Sequence, residues 1–187
     1  MTTGVLALQG AFQLHQRALE SLGQKVVLVR TPDQLGEIER LVIPGGESTT
    51  MSMLAERFEL LDPLREFATA HPVLGTCAGA ILLATEVLDG RQDQHCLGAI
   101  DISIRRNAFG SQVDSFEIEL PIDELGRGSF HGVFIRAPII ERAGDDVEVL
   151  AIVDGRPALV RSGAILATTF HPELSGDLRL HELFLGM

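Results

Sequence analysis

Short apolar runs alternate with amphipathic stretches through the first half of the chain, and each run is closed by glycine, proline or a polar turn. Gly4-Val5-Leu6-Ala7-Leu8 predicts a buried first strand that ends at Gln9-Gly10. Ala11, Leu14, Ala18 and Leu22 then recur at helical spacing, opposite Gln13, Gln16, Arg17 and Glu20, and Gly23 stops the helix. Residues 25–30 predict a second strand, Thr31-Pro32-Asp33 a turn, Leu41-Val42-Ile43 a third strand and residues 49–57 a helix. Val73-Leu74 predicts a fourth strand, which passes through a sharp turn into an uninterrupted helix-forming segment ending near Ala84. This β-α-β alternation implies a parallel sheet with its ligand crevice at the carboxyl ends of the strands.

The second half has a different rhythm. After a polar crossing over residues 89–95, strand-like runs occupy residues 100–105, 116–120, 132–138, 147–153 and 157–161 with no helical pattern between them. Strands so connected predict an antiparallel extension of the parallel core. A last strand over residues 164–169 leads into Phe170-His171-Pro172-Glu173 and a final helix over about 176–185.

Composition narrows the classes. A chain of 187 residues, 45% hydrophobic, suits one domain over residues 1–187 with a full core. Its net charge of −11, from 26 acidic and 15 basic residues, argues against a nucleic-acid or anionic-membrane partner. No apolar stretch approaches a membrane span and the N-terminus has no signal-peptide layout, so the expected location is the cytoplasm. There a disulfide between Cys77 and Cys96 is not expected. Cys96, in Gln92-Asp93-Gln94-His95-Cys96, lacks the partners of a zinc site and reads as structural.

The chemistry centres on Val73-Leu74-Gly75-Thr76-Cys77-Ala78-Gly79. A cysteine between glycines two residues to either side, where a strand meets a helix, has the layout of a nucleophile elbow. The helix N-terminus beside the sulfur would favour thiolate, and the Ala78 N–H would be placed to receive an oxyanion. The plain alternative is a small buried cysteine that only packs. Two further stretches share the crevice. Pro44-Gly45-Gly46-Glu47-Ser48-Thr49-Thr50 exposes backbone N–H groups after the third strand, although Gly-Gly could also serve only to turn the chain and Ser48 only to cap the helix. The segment lacks the Gly-Lys-Ser/Thr ending of a phosphate loop. His171-Pro172-Glu173 can set a carboxylate on one imidazole nitrogen and leave the other for Cys77. Taken singly, His171, His15, His71, His95, His131 and His181 each read as structural, and the strand-end position distinguishes His171. Arg106 and Arg136 end strands and could each anchor a carboxylate, or only make a surface ion pair.

Together Gly75-Thr76-Cys77-Ala78-Gly79, Pro44-Gly45-Gly46 and His171-Pro172-Glu173 resemble the class I, triad-type glutamine amidotransferases. Leu8-Gln9-Gly10-Ala11, Ile43 to Thr50, Arg106-Asn107-Ala108-Phe109-Gly110, Ser115-Phe116-Glu117 and Phe134-Ile135-Arg136-Ala137-Pro138 resemble, within that class, the glutaminase subunits of pyridoxal 5′-phosphate synthases. The resemblance covers nearly the whole chain. It implies a three-layer α/β/α, flavodoxin-like fold, hydrolysis of L-glutamine to glutamate and ammonia, and delivery of ammonia to a synthase subunit in a hetero-oligomer. It also implies roles: Cys77 as nucleophile, His171 as general base and acid, and Glu173 as its orienting carboxylate. Backbone donors of Gly45, Gly46 and Ala78 would form the oxyanion site. Gly46, Glu47, Ser48, Arg106, Ile135 and Arg136 would bind glutamine, and Gln9 and Gly10 would lie on the synthase-facing side. No metal or organic cofactor is expected. Leu14-His15, where the family often has Glu-His, and Ser111, where it often has Arg, depart from the pattern. A glutaminase subunit of another pathway, such as imidazole glycerol phosphate synthase, would share the triad but not the Arg106 and Ile135-Arg136 segments. A cysteine-based sensor would need no His171-Pro172-Glu173.

Overall fold

The computed structural model describes residues 1–106 and 115–187. In chain order the elements are β1 (Thr2–Leu6), α1 (Phe12–Ser21), β2 (Lys25–Val29), β3 (Arg40–Ile43), α2 (Ser48–Arg57), α3 (Leu61–Ala70), β4 (Val73–Thr76), α4 (Ala78–Leu83) and β5 (Ala84–Val87). There follow β6 (Ile100–Arg105), β7 (Ser115–Leu120), β8 (Phe130–Ile135), β9 (Ile139–Ala143), β10 (Glu148–Val153), β11 (Arg156–Ser162), β12 (Ile165–Thr168) and α5 (Arg179–Leu185). Helix α3 and strands β5 and β9 are additions to what the apolar pattern predicted.

A seven-stranded sheet in the order β10-β11-β12-β4-β3-β1-β2 forms the middle layer. Strands β2, β1, β3, β4 and β12 are parallel, and β11 and β10 extend the sheet antiparallel beyond β12. Successive side chains of a strand point to opposite faces, and here that alternation divides the core in two. Leu6, Leu41, Ile43, Val73, Ile165 and Ala167 pack with α2, α3, α4, β6 and β9, whereas Val5, Val42, Leu74 and Leu166 pack with α1, α5, β7 and β8. The result is a three-layer α/β/α architecture. No helix among the described residues is long and apolar enough to cross a membrane.

Three expectations need correction. Strands β6, β7 and β8 do not join the antiparallel extension: β5-β6-β9 form a separate three-stranded sheet and β7-β8 a separate hairpin. A period-two pattern marks one buried face without saying which strand lies alongside. Helix α1 buries His15 and Leu19 most fully, while Ala11, Leu14, Ala18 and Leu22 are only half-buried. The helical spacing therefore marked a flank of the buried stripe, because a polar histidine occupies its centre. The last helix starts at Arg179 rather than near Gly176, whose φ of +72° turns the chain before it.

Candidate active site

Cys77 stands between β4 and α4 with φ +50° and ψ −103°, in the left-handed region that non-glycine residues occupy at an energetic cost. Its N–H donates to the Thr168 carbonyl at 2.8 Å, which fastens the elbow to β12. A β-carbon on Gly79 would collide with the Ile43 carbonyl, and one on Gly75 with Leu83 and the Gly79 backbone. The flanking glycines therefore let α4 lie directly on β3 and β4. The helix has only six residues, but the macrodipole acts through first-turn N–H groups, so the Ala78 N–H is still presented beside the sulfur.

His171 follows β12, and its N–H donates to the Val133 carbonyl of β8 at 2.9 Å. Pro172 then starts a single tight turn over Pro172–Leu174. That turn folds the Glu173 carboxylate back so that Oε1 meets His171 Nδ1 at 2.8 Å. Cys77 also interacts with this imidazole and favours its charged form. Burial of His171 opposes its protonation, but the hydrogen bonds to Cys77 and Glu173 outweigh it and raise its pKa to about 10. Burial likewise opposes ionisation of Glu173, yet His15 and His171 beside it hold the carboxyl well below the usual range. Cys77, His171 and Glu173 are thus brought together on one side of the sheet's carboxyl end.

The sequence did not single out His15 and His181. His15 Nε2 lies 3.2 Å from Glu173 Oε2 and 3.2 Å from Thr76 Oγ1, and His15 Nδ1 lies 3.0 Å from His181 Nε2. Burial, aided by His15, pushes His181 down to about 3. Between pH 6.5 and 3 the unfolded chain therefore binds a proton at His181 that the folded chain refuses, so stability falls as pH drops through this window. The slope is up to about 1.4 kcal/mol per pH unit for one proton. His171 acts in the opposite sense: its contribution is complete below 6.5 and is lost as pH climbs towards 10. We expect the difference in thermal midpoint between the wild type and His181→Phe to shift against the wild type from about pH 7 to about pH 4.5. A constant difference across a pH series of melting curves would contradict this.

An open cavity of about 410 Å³ faces Cys77 and His171. Gly46, Glu47, Ser48, Arg106, Ile135 and Arg136 line it, together with Thr49, Ile81, Pro138 and Gln9, which the resemblance had placed on the synthase-facing side. Thr49 and Pro138 lie within the Ile43 to Thr50 and Phe134 to Pro138 motifs although neither was singled out; Ile81 gave no signal beyond apolarity. Gly45 passes so close to the His171 ring that a β-carbon there would overlap it. The Gly45 carbonyl accepts from the Ala11 N–H at 3.0 Å, and the Glu47 N–H donates to Gln9 Oε1 at 2.9 Å. Gly10, at φ +90°, lies against the Gly45 carbonyl.

Glu47, and not Ser48, caps α2. Its carboxylate accepts from the N–H groups of Thr49 at 3.1 Å and Thr50 at 2.7 Å and from Thr50 Oγ1 at 2.6 Å. Partial burial raises the Glu47 pKa, but these bonds outweigh it and leave it below its ordinary value. Such a cap is worth about 1 kcal/mol, and it turns the Glu47 carboxylate towards its own helix. Arg106 is fixed on the cavity wall. Its Nη1 donates to Thr49 Oγ1 at 2.6 Å and Gln94 Oε1 at 2.8 Å, and its Nη2 to the Asp89 carbonyl at 3.0 Å. Arg136 stands at the end of β8 with φ +44°. The rest of the Arg106 to Gly110 motif and Ser111 lie outside the described residues. Cys96 is half-buried, and burial raises its thiol pKa.

A parallel α/β sheet that presents a cysteine on a strained strand-to-helix turn, with a histidine–carboxylate pair from the neighbouring strand beside it, defines a domain suited to cysteine-based acyl transfer. The chain belongs to the SNO glutamine amidotransferase family, whose profile matches residues 5–187. It is 56% identical over 190 aligned residues to pyridoxal 5′-phosphate synthase subunit PdxT of Herpetosiphon aurantiacus, covering 100% of both chains. It is 58% identical to the subunit of the same name in Mycobacteroides abscessus, over 98% of this chain and 95% of that one. A crystal structure described as a glutamine amidotransferase, 47% identical, matches with a TM-score of 0.93 over 100% of this chain and 98% of that one. A chain in the structure of PurLQS from Thermotoga maritima, 18% identical with a TM-score of 0.70, shares the fold over 99% of this chain and 97% of that one.

Proposed function

We propose that this chain is a glutaminase subunit of a pyridoxal 5′-phosphate synthase, a single domain over residues 1–187 that works in the cytoplasm and passes ammonia to a synthase subunit in a hetero-oligomer. The observation that carries this reading is His171, bonded through Nδ1 to Glu173 and lining with Cys77 one cavity that also holds two arginines. Full-length identity to subunits so named supports the pathway.

The chemistry is acyl transfer. The Cys77 thiolate attacks the side-chain carbonyl of glutamine, and N–H groups of Ala78 and the Gly45-Gly46 loop receive the oxyanion, each donor contributing about 3 kcal/mol. His171 protonates the departing ammonia and then activates the water that hydrolyses the γ-glutamyl thioester. Nothing in this half-reaction calls for a metal or an organic cofactor. Gly46, Glu47, Ser48, Arg106, Ile135 and Arg136 surround the substrate. Gln9 and Gly10 touch the oxyanion loop directly, so a synthase subunit docked against them would reach that loop through the Glu47–Gln9 and Ala11–Gly45 bonds. Ammonia made without a partner would be lost, which fits a subunit that is slow until that contact forms.

The decisive assay is glutamate release from glutamine by the chain alone and with a pyridoxal 5′-phosphate synthase subunit added, alongside labelling of Cys77 by a glutamine-like electrophile. Partner-stimulated release and labelling blocked by glutamine are expected; no release under either condition would defeat the proposal. Arg106→Gln is expected to raise KM roughly 10- to 100-fold with a smaller change in kcat, the scale of a lost charge-assisted bond to the substrate carboxylate. An unchanged KM would remove Arg106 from the substrate site.

A further inference from the structure

The second oxygen of the Glu173 carboxylate faces away from His171 into the protein. Its side chain is fully buried. A buried carboxylate needs compensation on both oxygens, and among the described residues no directed hydrogen bond reaches Oε2. His15 Nε2, from α1, stands 3.2 Å away and is also fully buried. The same nitrogen lies 3.2 Å from Thr76 Oγ1, and its contact with Oε2 is electrostatic rather than a linear hydrogen bond. Only the forms of His15 that carry hydrogen on Nε2 avoid setting a lone pair against the carboxylate. An imidazole is costly to bury, and if it served packing alone an apolar side chain would fill the space better.

We propose that His15 is a positioning residue for the glutaminase reaction: through its Nε2 edge it holds the Glu173 carboxylate in the orientation that keeps Nδ1 of His171 engaged and the opposite ring edge on Cys77. This rests on the assignment of Cys77, His171 and Glu173 as the triad. The geometry is continuous from α1 to the elbow, running from His15 to Glu173, His171 and Cys77, and Thr76, which receives the Nε2 edge, immediately precedes the nucleophile. Among the described residues, the titratable groups facing this chain of contacts come from four elements. Glu173 comes from the turn after β12, His181 from α5 against the Nδ1 edge of His15, and His171 and Cys77 lie beyond the carboxylate.

The two edges of His15 can be tested separately. In His15→Gln the side-chain amide takes the place of Nε2 and keeps an N–H donor towards Glu173. In His15→Asn it takes the place of Nδ1 and faces His181. Both variants are polar and no larger than histidine, so the comparison does not depend on an apolar replacement folding.

With the synthase subunit present, His15→Asn is expected to lower kcat for glutamine roughly 10-fold or more, the scale at which a removed orienting partner registers, with little change in KM. His15→Gln is expected to retain most of kcat. The rate of Cys77 alkylation by iodoacetamide against pH gives an independent readout. In His15→Asn its midpoint should move upward, because a loosened Glu173 supports imidazolium and thiolate less well; in His15→Gln it should stay near the wild type. Equal kcat in the two variants, or an alkylation profile unmoved in His15→Asn, would overturn the proposal and leave His15 a packing residue. Cys77→Ala is assayed in parallel: if it retained activity, the triad assignment itself would have failed, whereas an inactive Cys77→Ala with indifferent His15 variants would sink only the role given to His15.

Discussion

Cys77→Ala is expected to reduce glutamine hydrolysis by at least about 1000-fold, with the synthase subunit present, while glutamine still binds. Removing the sulfur takes away the only group at the elbow that can form the thioester, and what remains is the cavity and the backbone donors. In triad enzymes such residual machinery retains a small part of the rate enhancement. Binding should survive because Arg106, Ser48 and Gly46 do not depend on the sulfur for their positions: Arg106 is held by Thr49, Gln94 and the Asp89 carbonyl, and Ser48 bonds with Gln94. The fold should survive too, since the Cys77 backbone is held by Thr168. Steady-state glutamate release and calorimetric titration with glutamine check the two halves. Activity within tenfold of wild type would show that Cys77 is not the nucleophile. The left-handed φ at this position adds a corollary: Cys77→Gly should be more stable than Cys77→Ala, because glycine tolerates that conformation without strain.

Glu173→Gln should have the next largest effect, a fall in kcat of roughly 100- to 10000-fold with modest change in KM. The replacement keeps the shape of the side chain and removes its charge, so it tests what the carboxylate does for His171. In the native chain Oε1 receives Nδ1 of His171 at 2.8 Å. An amide in that place can turn its NH₂ towards Nδ1 and select the tautomer with hydrogen on the edge facing Cys77, the arrangement that disables the base in a serine triad. It also gives no charge to support the imidazolium that forms when the thiol ionises. The pH at which Cys77 becomes alkylated should therefore rise in Glu173→Gln, as it should in milder form in His15→Asn. A variant with normal kcat would relegate Glu173 to a structural role.

The residues that carry these predictions are legible in the sequence because each lies within a few positions of the feature that betrays it. Cys77 is two residues from Gly75 and Gly79, and the packing explains that spacing: the helix after the elbow rests on β3 and β4 where a β-carbon would collide. His171 and Glu173 are separated by one proline, and the tight turn it begins brings imidazole and carboxylate together. The parallel core followed from apolar runs alternating with helical spacing. Each of these signals is local, and local backbone sterics suffice to produce it.

What the amino-acid order leaves open depends on segments far apart along the chain. The apolar spacing of α1 marks Ala11, Leu14, Ala18 and Leu22, yet the helix turns His15 and Leu19 inward most fully, because His15 answers a buried carboxylate near the other end of the chain. Ser48 has the residue type and place of a cap for α2, but Glu47 reaches both Thr49 and Thr50 while its own N–H is held by Gln9. Strands β6, β7 and β8 carry a period-two pattern and join other sheets instead of the antiparallel extension, since period two specifies a buried face and not a neighbour. Adjacent positions alone specify the parallel framework, the elbow and the three residues proposed for the reaction, because strand, turn and helix chemistry is written in near neighbours. Which polar groups stand behind those three is settled by packing in three dimensions: a buried charge is satisfied by whatever donor the fold brings within about 3 Å, and no periodicity along the chain encodes that meeting.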